Sequence, residues 1–222
     1  MTILEFVNSE YSNPRPDLVI PTYNSAQFIG SSLAEIMEHR ENFTKIIIVD
    51  DGSADLTYQA LEPFQAQLEI VKAPINMGQH AATIEGLKAT TAEYVLTLDD
   101  DLPVDLKDLS RLLEQASKEQ ADLIYASYSA GSVISKIGSW VVSWIMSLKY
   151  NAKIRGSSTR LIQRCVLDRC FQTGFSDFLD HDLLVHASKC QFVALVHKKS
   201  HHPSRYSLGQ KITLFNRMLY NR

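Results

Sequence analysis

The sequence has only three cysteines, and their spacing argues against two kinds of structural site. Cys165, Cys170 and Cys190 form neither a Cys-x-x-Cys pair nor an even-numbered framework. Structural zinc sites and disulfide-stabilised folds normally require one or the other. We therefore expect three reduced, buried thiols.

Long apolar segments are also absent. No uninterrupted apolar run reaches the roughly 18 residues that a membrane-spanning helix needs, and residues 1–16 lack the basic start and apolar stretch of a signal peptide. We therefore expect a cytoplasmic protein. The 222 residues are 45% hydrophobic and 21% charged, which predicts one globular domain over residues 1–222.

Two glycine-rich motifs of nucleotide-binding enzymes are missing as well. No Gly-x-Gly-x-x-Gly follows the first predicted strand, which disfavours a Rossmann-type oxidoreductase. A nucleotidyltransferase would show a glycine-rich loop with a downstream lysine near the N-terminus. This chain has Pro21-Thr22-Tyr23-Asn24 there, so that class is disfavoured too.

The C-terminal end contains no acidic residue. The chain has 22 basic and 25 acidic residues, of which six basic ones and no acid lie from Lys198 to Arg222. A basic segment on an acidic body suggests an anionic partner, either a phosphate group or a membrane surface. The alternative is an ordinary solvated helix face. We predict no nucleic-acid partner and make no prediction of oligomeric state.

Strand-like segments alternate with helix-like ones, which indicates an α/β fold. Residues 45–50 read KIIIVD and are continuously apolar, as expected of a strand that is covered on both faces. This predicts a mostly parallel sheet with helices on both faces. A helix is predicted over residues 25–38, with Asn24 and Gln27 as its capping residues. The other predicted strands cover residues 17–20, 68–71, 94–98 and 122–126.

Polar residues follow three of the predicted strands at their carboxyl ends, where open α/β sheets bind ligands. The segments are Pro21-Thr22-Tyr23-Asn24, Asp50-Asp51-Gly52-Ser53 and Asp99-Asp100-Asp101. Gly78 precedes a further predicted helix, whose N-terminal amides could face an anion. We therefore expect one binding site at this edge.

The three consecutive aspartates suggest a cation. Neighbouring carboxylates repel each other unless they are solvated or neutralised by a metal. Oxygen ligands point to Mg²⁺ or Mn²⁺, and Mg²⁺ often completes its shell with substrate phosphates. A solvated acidic turn is the simpler alternative for an isolated run of this kind.

Four ordered segments resemble the inverting family 2 glycosyltransferases, which have the GT-A fold. They are VIPTYNSAQFI, IIIVDDGSADLT, NMGQHAATIEGL and YVLTLDDDLP, and they span roughly the first 105 residues. The resemblance implies a nucleotide-diphosphate sugar donor bound by residues 1–105 and an acceptor bound by residues 106–222. Asp99 and Asp101 match the metal-binding DxD pair, and Asp101 is the catalytic candidate of the two. The other donor-binding candidates are Pro21, Tyr23, Asp50, Asp51, Gly78 and Asp100.

Within that family, the GQHAA segment and the later sequence look most similar to polyprenyl-phosphate glycosyltransferases. The resemblance implies that Arg160 contacts the acceptor phosphate, together with a basic loop containing Lys199, Ser204 and Arg205. The sequence departs from the pattern in two ways. Pro103 replaces a common glutamine, and the usual C-terminal transmembrane helices are missing.

Two amphipathic segments could provide membrane contact in place of the missing transmembrane helices. Apolar residues recur at helical spacing over residues 133–148 and 208–220. Such helices could lie in the membrane interface, and the first could equally pack in the core. The expected location is therefore cytoplasmic, with possible peripheral contact to the membrane.

The acceptor decides whether a general base is needed. A hydroxyl acceptor generally requires one, whereas a phosphate acceptor is already ionised. Asp180 and Asp182 lie where hydroxyl-using relatives often carry an acidic base motif, and Asp182 is the preferred candidate; acids at a helix N-terminus are the alternative. A late histidine could supply a third metal ligand, although a plain polar loop is the default for His197, His201 and His202.

The sequence therefore predicts a glycosyltransferase that uses a polyprenyl-phosphate acceptor. One alternative is transfer to a hydroxyl of a surface polysaccharide or lipopolysaccharide intermediate. Another is a non-catalytic protein that only binds a nucleotide sugar.

Overall fold

A computed structural model describes residues 14–128, 157–176 and 178–198. In these residues, seven strands form one sheet with the order β3-β2-β1-β4-β6-β5-β7. The strands are β1 Asp17–Thr22, β2 Ile46–Asp50, β3 Glu69–Lys72, β4 Tyr94–Thr97, β5 Leu123–Tyr128, β6 Arg160–Gln163 and β7 Cys190–Leu195. The α-helices of the described residues are α1 Ile29–Met37, α2 Thr57–Leu61, α3 Gln79–Lys88, α4 Ser110–Glu119, α5 Arg164–Thr173 and α6 Leu179–His186.

The sheet is mostly parallel, as predicted. β1 pairs in parallel with β2 and β4, β2 with β3, and β5 with β7. The exception is β6, which lies antiparallel between β4 and β5. The five predicted strands are confirmed with small shifts of their ends. Neither β6 nor β7 was predicted, because both are short or partly polar.

Helices cover both faces of the sheet, which explains the continuously apolar strands. Along β2, Ile46 and Ile48 belong to one buried core and Ile47 and Val49 to the other. α1 and α4 contribute to the first core, and α3, α5 and α6 contribute to the second. Gly86 lets α3 approach closely, since a Cβ there would lie 2.4 Å from Val19 Cγ1.

The first helix begins later than predicted. α1 begins at Ile29 rather than at residue 25, and no side chain caps it. The predicted cap, Asn24, has a φ of 49° and bonds across the chain instead. Its amide oxygen accepts a hydrogen bond from Ala54 N at 2.9 Å, and its N–H donates to Ser53 Oγ at 2.9 Å. These long-range bonds prevail over the local capping pattern.

Other sequence predictions have mixed outcomes. All three cysteines are free thiols, as expected, but only Cys170 is fully buried, and Cys165 and Cys190 are partly exposed. Burial raises the pKa of the Cys170 thiol to about 12. The amphipathic segments 133–148 and 208–220 lie outside the described residues. In the part of the chain that is described, no helix has the length and apolarity needed to cross a bilayer.

Candidate functional site

The three polar segments meet at the carboxyl edge of the sheet. Thr22 at the end of β1 is in register with Asp50 at the end of β2. β1 also pairs with β4, which leads into Asp99. The chain runs outward from β1 in one direction through β2 and β3, and β4 lies on its other side. Such a reversal of strand order is where open α/β sheets form their ligand crevice.

Asp100 joins the ends of two strands. Its carboxylate oxygen Oδ2 accepts hydrogen bonds from Thr22 Oγ1 at 2.7 Å and from Ser25 Oγ at 2.5 Å. Its side chain is buried. These hydrogen bonds connect the segment that follows β4 to the end of β1. A direct contact between Asp100 and the donor stays a prediction.

Asp99 and Asp101 flank this anchor. The Asp99 carboxylate accepts hydrogen bonds from Gln79 Nε2 at 2.6 Å and from Ser158 Oγ. Burial raises the pKa of Asp99, the Ser158 hydrogen bond opposes this, and the Asp101 and Asp100 charges raise the pKa further. Asp101 is half-buried, and none of the described residues donates a hydrogen bond to its side chain. Among the described residues, the cation that acts on Asp99 is Arg160, which is already paired with Asp180.

Asp51 binds the backbone before α3. Its two carboxylate oxygens accept hydrogen bonds from Met77 N at 2.7 Å and from Gly78 N at 2.9 Å. The sequence suggested that amides at this helix N-terminus could face an anion, and in the fold the Asp51 carboxylate lies there. Gly52, with a φ of 68°, permits this packing, since a Cβ would lie 2.5 Å from the carbonyl carbon of Ile75.

The remaining donor-binding candidates lie beside these residues. Asp50 is fully buried, and its Oδ1 accepts a hydrogen bond from Ser53 N at 3.0 Å. Its other oxygen has no hydrogen-bond partner among the described residues. Pro21 is buried, whereas Tyr23 is 39% exposed. Tyr23, which follows β1, is therefore partly exposed at this edge of the sheet.

Arg160 is buried in an ion pair with Asp180. Arg160 Nε lies 2.6 Å from Asp180 Oδ1, and Arg160 Nη2 lies 3.0 Å from Asp180 Oδ2. The Tyr125 hydroxyl donates a further hydrogen bond to Asp180 at 2.9 Å. Burial raises the pKa of Asp180, but the charge and hydrogen bonds of Arg160, together with His80 and the Tyr125 hydrogen bond, outweigh burial and hold that pKa below its usual value. The predicted contact of Arg160 with an acceptor phosphate stays a prediction.

His80 lies close to this ion pair. Burial lowers the pKa of His80, and the positive charge of Arg160 lowers it further, against the opposing effect of Asp180. The imidazole ring packs edge-on against Phe178, with 5.2 Å between the ring centroids. A neutral imidazole on α3 therefore borders the segment that leads into α6.

Asp182 contacts the loop before α6. Its Oδ2 accepts hydrogen bonds from Ser176 N at 2.8 Å and from Ser176 Oγ at 3.0 Å. The side chain is 7% exposed. Sequence spacing favoured Asp182 over Asp180, yet Asp180 is the residue connected to Arg160 and β6. The sequence could not show which of the two meets Arg160, because both lie in the first turn of α6.

The late basic and histidine candidates are only partly described. His197 packs edge-on against Tyr128, with ring centroids 5.0 Å apart. Lys198 forms a salt bridge with Glu35 at 2.6 Å. Lys199, Ser204 and Arg205 lie outside the described residues, as do His201 and His202.

Several polar contacts at this edge could not be predicted from the sequence. Ser158 and Gln79 bind Asp99, and Thr22 and Ser25 bind Asp100. Serine, threonine and glutamine are common in loops, so only the fold identifies them as partners. Across the described ranges, no group of three or more histidine, cysteine, aspartate or glutamate side chains is arranged to hold a metal ion.

Curated relatives match part of the chain. A dodecaprenyl-phosphate galacturonate synthase of Rhizobium johnstonii is 26% identical over 162 residues, which cover 68% of this chain and 48% of the relative. An undecaprenyl-phosphate 4-deoxy-4-formamido-L-arabinose transferase of Pseudomonas fluorescens is 36% identical over 111 residues, which cover 45% of this chain and 31% of the relative. The chain therefore spans half or less of the length of these relatives.

Solved structures share the fold. The glucosyl-3-phosphoglycerate synthase of Mycobacterium tuberculosis, solved with phosphoglyceric acid, superposes with a TM-score of 0.68 at 16% identity, over 99% of this chain and 82% of that one. The mannosyltransferase PcManGT of Pyrobaculum calidifontis, solved with GDP-Man and Mn²⁺, superposes with a TM-score of 0.65 at 20% identity, over 86% of this chain and 58% of that one. The fold is thus the predicted GT-A fold. Residues 17–171 also match Glycosyl transferase family 2, and the chain belongs to that family.

Proposed function

We propose that the protein is a metal-dependent inverting glycosyltransferase that moves a sugar from a nucleotide-diphosphate donor to a polyprenyl phosphate. The observation that carries this proposal is the arrangement of the three aspartates. Asp100 is bound by hydroxyl groups of the β1 end, whereas Asp99 and Asp101 flank it with no unpaired cation among the described side chains nearby. This is a site with an excess of negative charge at the ligand-binding edge of the sheet.

The donor set of this site fits a divalent cation. Mg²⁺ is typically held by one or two carboxylates, with waters and substrate phosphates completing the shell, and Mn²⁺ accepts similar ligands. Asp99 and Asp101 would supply the two carboxylates. Burial, followed by the charges of Asp101 and Asp100, raises the pKa of Asp99, so a cation would stabilise its ionised form. When bound, the metal would stabilise the negative charge of the leaving nucleoside diphosphate.

The donor nucleoside is proposed to bind beside the ends of β1 and β2. Tyr23 is 39% exposed and could pack against the base. Pro21, two residues earlier, is buried at the same strand end. The buried Asp50 has one carboxylate oxygen without a described partner, which could accept a hydrogen bond from the nucleoside. Asp51 would act mainly by fixing the backbone at Gly78.

The surroundings of Asp182 favour a phosphate acceptor. A general base must be within reach of the acceptor's proton, but Asp182 is only 7% exposed, and its Oδ2 is tied to Ser176 by two hydrogen bonds. A phosphate acceptor needs no such base because it is ionised. Two relatives whose names specify polyprenyl-phosphate substrates point to the same class of acceptor. Lys199, Ser204 and Arg205 would bind the acceptor phosphate, and Arg160 is a further candidate.

Contact with a membrane surface is part of the proposal, because a polyprenyl phosphate resides in one. The basic residues from Lys198 to Arg222 would favour an anionic lipid surface. The amphipathic sequences over residues 133–148 and 208–220 would add apolar contact.

Thermal unfolding with UDP, GDP and dTDP, each with Mn²⁺ or with EDTA, tests donor and metal binding. A ligand at about 100 times its dissociation constant stabilises by roughly 2.7 kcal/mol. For a chain of this size that corresponds to a rise in Tm of about 5–10 °C. We expect such a rise with one nucleotide in Mn²⁺ and a much smaller one in EDTA. An unchanged Tm with every nucleotide would contradict the proposal and favour a non-catalytic role.

A further inference from the structure

A continuous hydrogen-bond chain links α6 to the proposed metal site. Asp180 on α6 binds the Arg160 guanidinium on β6 through both carboxylate oxygens. Arg160 Nη1 donates to the Ser158 carbonyl oxygen at 3.1 Å. The Ser158 hydroxyl then donates to Asp99 Oδ2. Side chains from the second half of the chain are thus connected to the first carboxylate of the Asp99–Asp101 pair.

The backbone at Ser158 is fixed from two directions. Its carbonyl oxygen also accepts a hydrogen bond from Thr97 Oγ1 at 2.6 Å. Thr97 is the last residue of β4, and Arg160 is the first residue of β6, which pairs with β4. The Ser158 hydroxyl is therefore presented by a segment that is anchored both to β4 and to the buried Arg160–Asp180 pair.

The Asp99 carboxylate is bound at both oxygens. Gln79 Nε2 donates to Oδ1 at 2.6 Å, and Ser158 donates to Oδ2. A carboxylate has about four lone-pair sites, so two remain available. Two donors on different oxygens restrict rotation of the group. They also compensate part of the cost of holding a charge beside Asp100 and Asp101.

We propose that Ser158 is a positioning residue that orients Asp99 for a divalent cation, and that the Arg160–Asp180 pair holds Ser158 in place. This inference rests on the proposed function, because it assumes that Asp99 binds the metal. It assigns Asp180 a role distinct from that of a general base. It also gives the buried Arg160–Asp180 pair, which links β6 to α6, a role at the acidic strand end.

The test is Mn²⁺ affinity, measured from the EPR signal of the free ion during titration, with Mn²⁺ alone and with Mn²⁺ plus UDP or GDP. Groups that orient metal ligands typically contribute about 10–100-fold in metal affinity. We expect Ser158→Ala to weaken Mn²⁺ binding by about tenfold or more, and Ser158→Thr, which keeps the hydroxyl, to weaken it much less. Gln79→Ala, at an exposed position, should weaken binding through the other Asp99 oxygen.

Ser157→Ala is the matched control. Among the described residues, the Ser157 hydroxyl bonds to the backbone of Thr159 at 3.3–3.4 Å and to the Tyr128 side chain, and it makes no hydrogen bond to Asp99. It should bind Mn²⁺ as the unaltered protein does. Equal Mn²⁺ affinity in the unaltered protein and Ser158→Ala would overturn this inference and leave the proposed function intact. No Mn²⁺ binding by the unaltered protein, with or without nucleotide, would overturn both.

Discussion

Asp101→Ala is expected to lower sugar transfer by on the order of 10³-fold while the protein stays folded. The substitution removes one of the two carboxylates proposed to hold the cation. Without the cation, the charge that develops on the leaving diphosphate loses several kcal/mol of stabilisation. The fold should tolerate the change, because Asp101 accepts no hydrogen bond from the described residues and is repelled by its neighbours.

The measurement is turnover at saturating donor, with Tm recorded for each variant. Asp168→Ala is the matched control, since Asp168 is an exposed aspartate on α5, away from the acidic strand end. It should retain both turnover and Tm. Turnover by Asp101→Ala close to that of the unaltered protein would refute the metal assignment.

Asp180→Ala is expected to have the largest effect on stability. It would leave the Arg160 charge without its partner. This charge is buried, because the side chains of Arg160 and Asp180 are only 7% and 4% exposed. Breaking a buried ion pair from one side typically costs about 3–5 kcal/mol. The free energy of unfolding, measured with urea, should fall by about that amount. Asp168→Ala should leave it within about 0.5 kcal/mol of the unaltered value.

The double variant Arg160→Met/Asp180→Leu separates the cost of an unpaired charge from the value of the pair. Replacing a buried pair by apolar residues of similar size is often neutral or stabilising. We therefore expect the double variant to be more stable than Asp180→Ala, although it should still lose the hydrogen bond to Ser158. A double variant as unstable as the single one would show that packing, rather than charge, dominates here.

The contribution of this pair also has a predictable pH dependence. Asp180 has a folded-state pKa below that of the unfolded chain, because the charge and hydrogen bonds of Arg160, with His80 and the Tyr125 hydrogen bond, together stabilise its ionised form more than burial destabilises it. Its stabilisation should therefore be fully present above the unfolded pKa of about 3.9 and be lost as pH falls through the folded pKa. The difference in stability between the unaltered protein and Asp180→Ala should narrow in that acidic range.

The fold was largely predictable because its core strands are strongly patterned. The apolar run of β2 is buried on both faces, and this identified a covered, mostly parallel sheet. The antiparallel strand β6 was not predictable, since its four residues begin with Arg160 and end with Gln163. The burial of Arg160 in this strand is compensated by its ion pair with Asp180, 20 residues later.

The location of the site could be predicted from the sequence, but the side-chain contacts within it could not. Ordered motifs located the acidic residues at the strand ends, and the fold brings them together. Spacing could not indicate that Asp100 binds Thr22, or that Asp182 binds Ser176 while Asp180 binds Arg160. Such choices between neighbouring aspartates depend on which partner the tertiary structure brings within hydrogen-bond distance.

The most direct test of the central claim is a transfer assay on undecaprenyl phosphate in lipid vesicles. The protein is incubated with Mn²⁺ and a panel of UDP-, GDP- and dTDP-sugars, and the extracted lipids are analysed by mass spectrometry and NMR. We predict a lipid-linked phosphate sugar with inverted anomeric configuration, formed from one donor class and abolished by EDTA. Absence of any sugar-bearing lipid, with a folded protein that binds nucleotide and Mn²⁺, would contradict the polyprenyl-phosphate acceptor.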